Sequence, residues 1–251
     1  LKIEILSTGE EITIDQRFQS PALGYGIEAI EFLGGTIWTL DDILDATVVS
    51  GGTGNNTLNG SDYRDNLFGM DGADTLNGHD DDDVLEGGQG ADILYGGDGS
   101  AAEENGSDRY VWQANDGDDT IIEYGRSSDE IDILALTNVS SSDVSLQKVS
   151  GSDDLEVQIA STGETITIKY QYYNTAYSYG VERIEFSDAV IWTWDLIYLN
   201  TLVSGDSGGD TLFGTDFVDN IFGKGGNDTL YGYAGDDILE GGAGADVLDG
   251  G

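Results

Sequence analysis

Between residues 51 and 97 an aliphatic residue recurs every nine positions, as Leu58, Leu67, Leu76, Leu85 and Leu94. The same spacing returns after residue 205 with Leu212, Ile221, Leu230, Leu239 and Leu248. A nine-residue unit is too short for two helices or a hairpin. It suits a tight turn of about six residues followed by a strand of about three, whose middle side chain alone points inward. Two such units make one coil of a parallel solenoid, with coils stacked about 4.8 Å apart by strand hydrogen bonds. The predicted core is a thin aliphatic ladder.

Elsewhere the apolar positions follow other periods. Leu1, Ile3 and Ile5 alternate with polar residues, as do Ile12 and Ile14, then Ile30 and Phe32 around Glu31, which predicts short strands. After Trp38 the pattern predicts a short helix: Thr39 can cap it, Asp41 favours its first turn, and Ile43 and Leu44 give it an apolar face. Thr193, Asp195 and Ile197 repeat that arrangement. Residues 113–154 read as further short strands joined by polar turns.

These correspondences are part of a larger repeat. Residues 1–97 align without a gap on 155–251, an offset of 154, with about half the positions identical. LKIEILSTGEEITI answers LEVQIASTGETITI, and DDVLEGGQGADILYGG answers DDILEGGAGADVLDGG. A tandem unit of this size marks an extended, quasi-linear molecule. The division expected is a β-rich module at 1–50, a nonapeptide array at 51–112, a spacer with the second module at 113–204, and a second array at 205–251. The ragged block DGSAAEENGSDRYVW is expected to end the first array, and the start at LKIEIL suggests an internal piece of a longer chain.

Charge changes the picture most. The 251 residues include 49 acidic and 9 basic ones, a net charge of −40. With 38% hydrophobic and 10% aromatic residues, cores remain possible despite that charge. Phosphate binding needs Lys and Arg, so nucleic acid is excluded as a natural partner, and anionic membrane surfaces are disfavoured. No apolar run is long enough to span a bilayer, so no membrane insertion is expected. The absence of cysteine removes disulfides and thiolate metal sites. The natural partner of dense carboxylate is a hard cation, and Ca²⁺ prefers oxygen ligands. A solvated acidic surface is the alternative that composition leaves open.

The turns decide between them. From Gly51 the blocks read GGTGNNTLN, GSDYRDNLF, GMDGADTLN, GHDDDDVLE, GGQGADILY; from Gly205 they read GDSGGDTLF, GTDFVDNIF, GKGGNDTLY, GYAGDDILE, GGAGADVLD. Glycines at positions one, two and four permit positive φ and bring bare carbonyls inward. An acid at position six projects toward the equivalent turn of the next coil. An ion between turns n and n+2 would take carbonyls from both and a carboxylate from each, about six oxygens at roughly 2.4 Å, which suits Ca²⁺ better than Mg²⁺.

These blocks resemble the RTX, or haemolysin-type calcium-binding, nonapeptide GGxGxDxUx, whose family fold is a parallel β-roll. The resemblance implies an all-β protein in which β-rolls alternate with small β-rich modules. It places calcium ligands at Asp65, Asp74, Asp83 and Asp92, and at Asp210, Asp219, Asp228, Asp237 and Asp246. The turn glycines that go with them are Gly51, Gly54, Gly69, Gly72, Gly87, Gly90, Gly205, Gly208, Gly223, Gly226, Gly241 and Gly244. Asn56 departs from the pattern, so the first turn is expected to bind weakly. GSDYRD and GTDFVD lack the inner glycines; Asp62 and Asp216 at position three either compensate or mark a non-binding cap. Asp108 and Tyr110 stand at positions six and eight of the ragged block, which makes Asp108 a further candidate ligand. The turn pairing implies on the order of seven or eight Ca²⁺ ions, about +16 against −40. YGIEAIEFLGGTIW and YGVERIEFSDAVIW resemble the domain interleaved with RTX blocks in very large secreted bacterial proteins.

Other signals carry less. His79 is the sole histidine and lacks partners for a zinc site or triad, so a catalytic role is not expected. The tyrosine-rich stretch YQYYNTAYSYG at 170–180, with Trp192 and Trp194 near, reads as packing between modules or as a carbohydrate-binding or partner-binding face. Two functional classes stay open. One is an extracellular, calcium-dependent structural or adhesive element (stalk, surface layer, matrix or filament) contacting neighbouring repeats or chains of its own kind. The other is the non-catalytic secretion and folding region of a secreted protease, lipase or polysaccharide epimerase. RTX relatives are exported by type I secretion, which implies a bacterial, extracellular or cell-surface location.

Overall fold

The computed structural model describes residues 2–5, 10–13, 29–32, 34–97, 106–124, 130–149, 151–173 and 179–251. Leu1, Ile14, much of the ragged block and the middle of the tyrosine-rich stretch lie outside them.

The nine-residue period becomes an eighteen-residue register. Strand Thr57–Asn59 lies parallel to Thr75–Asn77, and that to Ile93–Tyr95, with Leu58 beside Leu76 beside Leu94. On the opposite sheet Val49–Ser50, Asn66–Asp71 and Val84–Gln89 stack in the same way, with Leu67 beside Leu85. Leu67, Leu76, Leu85 and Leu94 are buried, and the second array repeats this with Leu212, Ile221 and Leu230. Leu239 is partly buried against them, while Leu248 in the last coil is 47% exposed. The chain is therefore a parallel β-roll built coil upon coil.

The ragged block does not end the first roll. Arg109–Trp112 pairs in parallel with Val84–Gln89, putting Tyr110 beside Leu85, and Ile133–Leu136 and Arg183–Phe186 continue the same sheet. On the other side Thr120–Ile122 pairs with Ile93–Tyr95 and then with Thr165–Lys169. The strands on either side of the block keep the coil register, so the backbone ladder continues. An antiparallel meander, Val144–Lys148, Leu155–Ile159 and Thr165–Lys169, fills the middle. Val144–Lys148 then takes Thr201–Ser204 as a parallel neighbour, followed by Asn220–Phe222 and Ile238–Glu240. One ten-stranded sheet thus runs from the first array, through the spacer, into the second.

The 154-residue repeat is visible in register as well as in sequence. Lys2 faces Thr13 as Glu156 faces Thr167, and Ile30 faces Trp38 as Ile184 faces Trp192. The predicted helices are Leu40–Asp45 and Trp194–Asn200. Thr39 closes a capping box with Asp42, and Ile43 and Leu44 are buried. Thr193 holds the equivalent N-cap position but makes no side-chain cap bond. Where described, the tyrosine-rich stretch packs inward at Tyr172, whose hydroxyl is 2.8 Å from Thr201 Oγ1 and whose ring meets Tyr198 edge-on. Tyr173 is 61% exposed.

Candidate metal centre

The position-six acids form two columns up the rolls. In each, the backbone N–H of one acid donates to Oδ1 of the acid one coil on: Asp65 to Asp83 at 2.8 Å, Asp74 to Asp92 at 2.7 Å, and Asn56 to Asp74 at 2.6 Å. In the second array Asp210 donates to Asp228 at 2.9 Å, and Asp219 to Asp237 and Asp228 to Asp246 at 3.0 Å each. One oxygen of each acceptor carboxylate is thereby tied to the backbone.

The other oxygen is the informative one. Oδ2 of Asp74, Asp83, Asp92, Asp108, Asp228 and Asp237 is buried with no hydrogen-bond partner. Burying a carboxylate oxygen unsatisfied is costly, so each needs a proton or a cation. The position-one glycines show where a cation fits. A Cβ on Gly78 would collide with Asp83 Oδ2 and come 2.7 Å from the carbonyl oxygen of Gly96; Gly60, Gly69, Gly205, Gly214 and Gly223 are hemmed in the same way by their own turn's aspartate and a glycine carbonyl eighteen residues on. At Gly69, Gly78 and Gly223 the carboxylate oxygen facing that carbonyl, Oδ2 of Asp74, Asp83 and Asp228, has no donor. Carboxylate plus carbonyl is the ligand chemistry of calcium. Asp83, Asp92 and their equivalents would hold the ion, and its charge would answer oxygens that the fold leaves unpaired. Gly78→Ala is expected to raise the calcium concentration needed for folding by roughly tenfold, because the methyl fills the cradle. A calcium titration followed by circular dichroism reads this, and the ordinary φ at Gly78 keeps backbone strain out of the comparison.

Turn geometry accounts for the other glycines. Gly90 has φ +151° and a Cβ there would strike the Gly72 carbonyl, so the coils stack only without one. Position two is left-handed in several turns despite unlike side chains, as at Met70 with φ 85°, His79 at 86°, Lys224 at 71° and Tyr233 at 70°, but not at Ser61, Asp206 or Thr215. His79 thus serves as a turn residue. In the GSDYRD and GTDFVD turns the acid finds a protein donor instead. Ser61 donates to Asp65 Oδ2 through its N–H at 2.6 Å and its hydroxyl at 2.8 Å; Thr215 does the same for Asp219 at 2.6 and 3.0 Å. Asp62 and Asp216 are exposed.

The columns continue through Asp108, which sequence reading placed, to Asp119, Asp132 and Glu182, which it did not. Asp83 N–H donates to Asp108, Asp108 to Asp132 and Asp92 to Asp119, each at 2.8 Å, and Asp132 donates to Glu182 Oε2 at 2.7 Å. Asp119-Thr120-Ile121 and Asp132-Ile133-Leu134 carry the same acid-x-aliphatic triplet as Asp74-Thr75-Leu76 and Asp92-Ile93-Leu94. That triplet, rather than the glycines, was the available signal. Burial pushes Asp83 up to about 9 and Asp119 to about 8, with neighbouring acids adding to the effect. Burial raises Asp92 to about 6 and Glu182 to about 7.

A parallel roll whose turns gather unpaired carboxylate and carbonyl oxygens offers the ligand set of a calcium-binding β-roll. Two family models match the chain. The RTX calcium-binding nonapeptide repeat matches residues 50–85, 78–100, 204–232 and 213–248, and the haemolysin-type calcium binding protein related domain matches 1–42 and 154–195. The chain is built of RTX calcium-binding repeats interleaved with haemolysin-type calcium-binding-related domains. Among solved structures, the extracellular lipase LipA from Serratia marcescens is similar at 17% identity and a TM-score of 0.18, over 79% of this chain. The chain spans 28% of that lipase's length. No curated protein matches it. Among the described residues no helix is long and apolar enough to cross a membrane.

Proposed function

We propose that this chain is a calcium-stiffened structural segment of a large secreted bacterial protein, serving as a stalk or filament on or outside the cell. The observation that carries the reading is the ten-stranded sheet, which joins both arrays through the spacer. A 154-residue unit that pairs its last strands with the next unit's first ones makes a rod whose length grows with copy number. The boundaries near residues 50 and 204 belong to this proposal as folding units along the rod. The segment is non-catalytic in this reading, and its acids are spent on metal and on the columns that link coils.

In a calcium-poor cytosol the charge of −40 favours the unfolded chain, which is the form suited to export. Outside, calcium binds only the folded roll and draws the equilibrium over by mass action. The folding region of a secreted enzyme needs only one roll; two rolls sharing a sheet favour the array. Small-angle X-ray scattering of chains carrying one, two and three units in calcium tests it. The maximum dimension should rise in proportion to copy number, and growth that falls well short of proportional would refute the rod.

A further inference from the structure

The last coil of the first array ends on a different cradle. At Gly60, Gly69 and Gly78 the oxygen facing the aspartate is a neutral glycine carbonyl from the next coil. At Gly96 it is not. Pairing of Ile93–Tyr95 with Thr120–Ile122 puts Glu123 level with Gly96, where the arrays carry another glycine. The Glu123 side chain enters the cradle, and a Cβ on Gly96 would collide with Asp108 Oδ2, Glu123 Oε2 and the Tyr110 hydroxyl together.

Asp132 completes the group. Asp108, Glu123 and Asp132 each offer one oxygen, all within 4.8 Å of one another, and at most 1% of any of the three is exposed. Oδ2 of Asp108 and of Asp132 has no hydrogen-bond partner, whereas Glu123 Oε2 accepts from the Tyr110 hydroxyl and Oε1 from the Tyr124 N–H at 2.8 Å. Tyr110 stands beside Leu85 in the core column, so an aromatic replaces the aliphatic residue at the one coil where a hydroxyl can reach Glu123. Among the described residues no lysine or arginine forms a salt bridge with any of the three. Three converging carboxylates, two with an orphaned oxygen and, among the described residues, none paired with a lysine or arginine, form a pocket suited to a bound cation.

We infer that Asp108, Glu123 and Asp132 form a calcium site of a second kind, outside the nonapeptide repeat, that clamps the first array to the spacer. It rests on the calcium reading above for the identity of the ion. With three carboxylates in place of carboxylate and carbonyl, it should fill before the repeat sites, since affinity follows ligand charge.

The test counts calcium on the full chain at saturation by equilibrium dialysis and atomic emission. Glu123→Gln is expected to bind one ion fewer than the unaltered chain and to raise the calcium midpoint of folding by at least about threefold. Should that variant stay unfolded in saturating calcium, Asp132→Asn is counted in its place with the same expectation. An undiminished count, with a midpoint unchanged or lowered, overturns the site: the cluster would then hold protons, which a neutral amide replaces well. If the unaltered chain binds no calcium at all, the calcium reading itself fails, and that is seen before any variant is made.

Discussion

Stripped of metal, the chain should lose most of its β-sheet at about pH 8 and regain part of it on acidification toward about pH 4. The sign follows from the buried acids. Burial raises Asp83 to about 9, Asp119 to about 8 and Asp92 to about 6, and lifts Asp108, Glu123 and Asp132 well above the usual carboxylate range. In the unfolded chain these groups titrate near their ordinary values of about 4. The folded state therefore holds protons that the unfolded state releases, and stability falls as pH rises from about 4 through each folded value. Calcium reverses the dependence, because protons then compete with the ion for the same oxygens. Circular dichroism against pH, in metal-free buffer and in calcium, should give curves of opposite slope. Parallel curves would mean that the acids are solvated.

Asp83→Asn should split those two conditions within a single residue. Asp83 Oδ1 accepts the Asp65 N–H, which an amide oxygen also does. Its Oδ2 is unpartnered, in the cradle that also holds the Gly96 carbonyl. An amide NH₂ there meets the carbonyl as donor to acceptor, so the metal-free roll gains while the calcium site loses a charge. The expected result is more β-sheet in chelator together with a calcium midpoint raised by about tenfold, or about 1.4 kcal/mol. A variant that needs no more calcium than the unaltered chain would show that Asp83 is not a ligand.

The nine-residue blocks made the roll legible because their period is constant: Leu58, Leu76 and Leu94 fall into one column, and Leu67 and Leu85 into the other, at eighteen-residue steps. Past residue 100 only Asp108 was placed from sequence, at position six of the ragged block; Asp119, Asp132 and Glu182 were not legible, because the spacing is no longer constant. Asp108 follows Asp83 by 25 residues, Asp119 follows Asp92 by 27, and Glu182 follows Asp132 by 50, because more chain than in the arrays lies between coils that still stack in register. Spacing reports chain length, whereas the ladder depends on backbone pairing. Glu123 was hidden differently: it occupies a glycine position, so a search for glycine passes over it. The helix after Trp38 was readable from Thr39 and Asp41 because capping is local, while the missing cap bond at Thr193 shows that the same residue type does not guarantee the bond.

The measurement that tests the account most directly is a calcium titration of the metal-stripped chain by far-ultraviolet circular dichroism, with magnesium in parallel. The account predicts a cooperative coil-to-β transition between micromolar and millimolar calcium, with none in magnesium. A β spectrum already present in chelator at neutral pH and unmoved by calcium would contradict it.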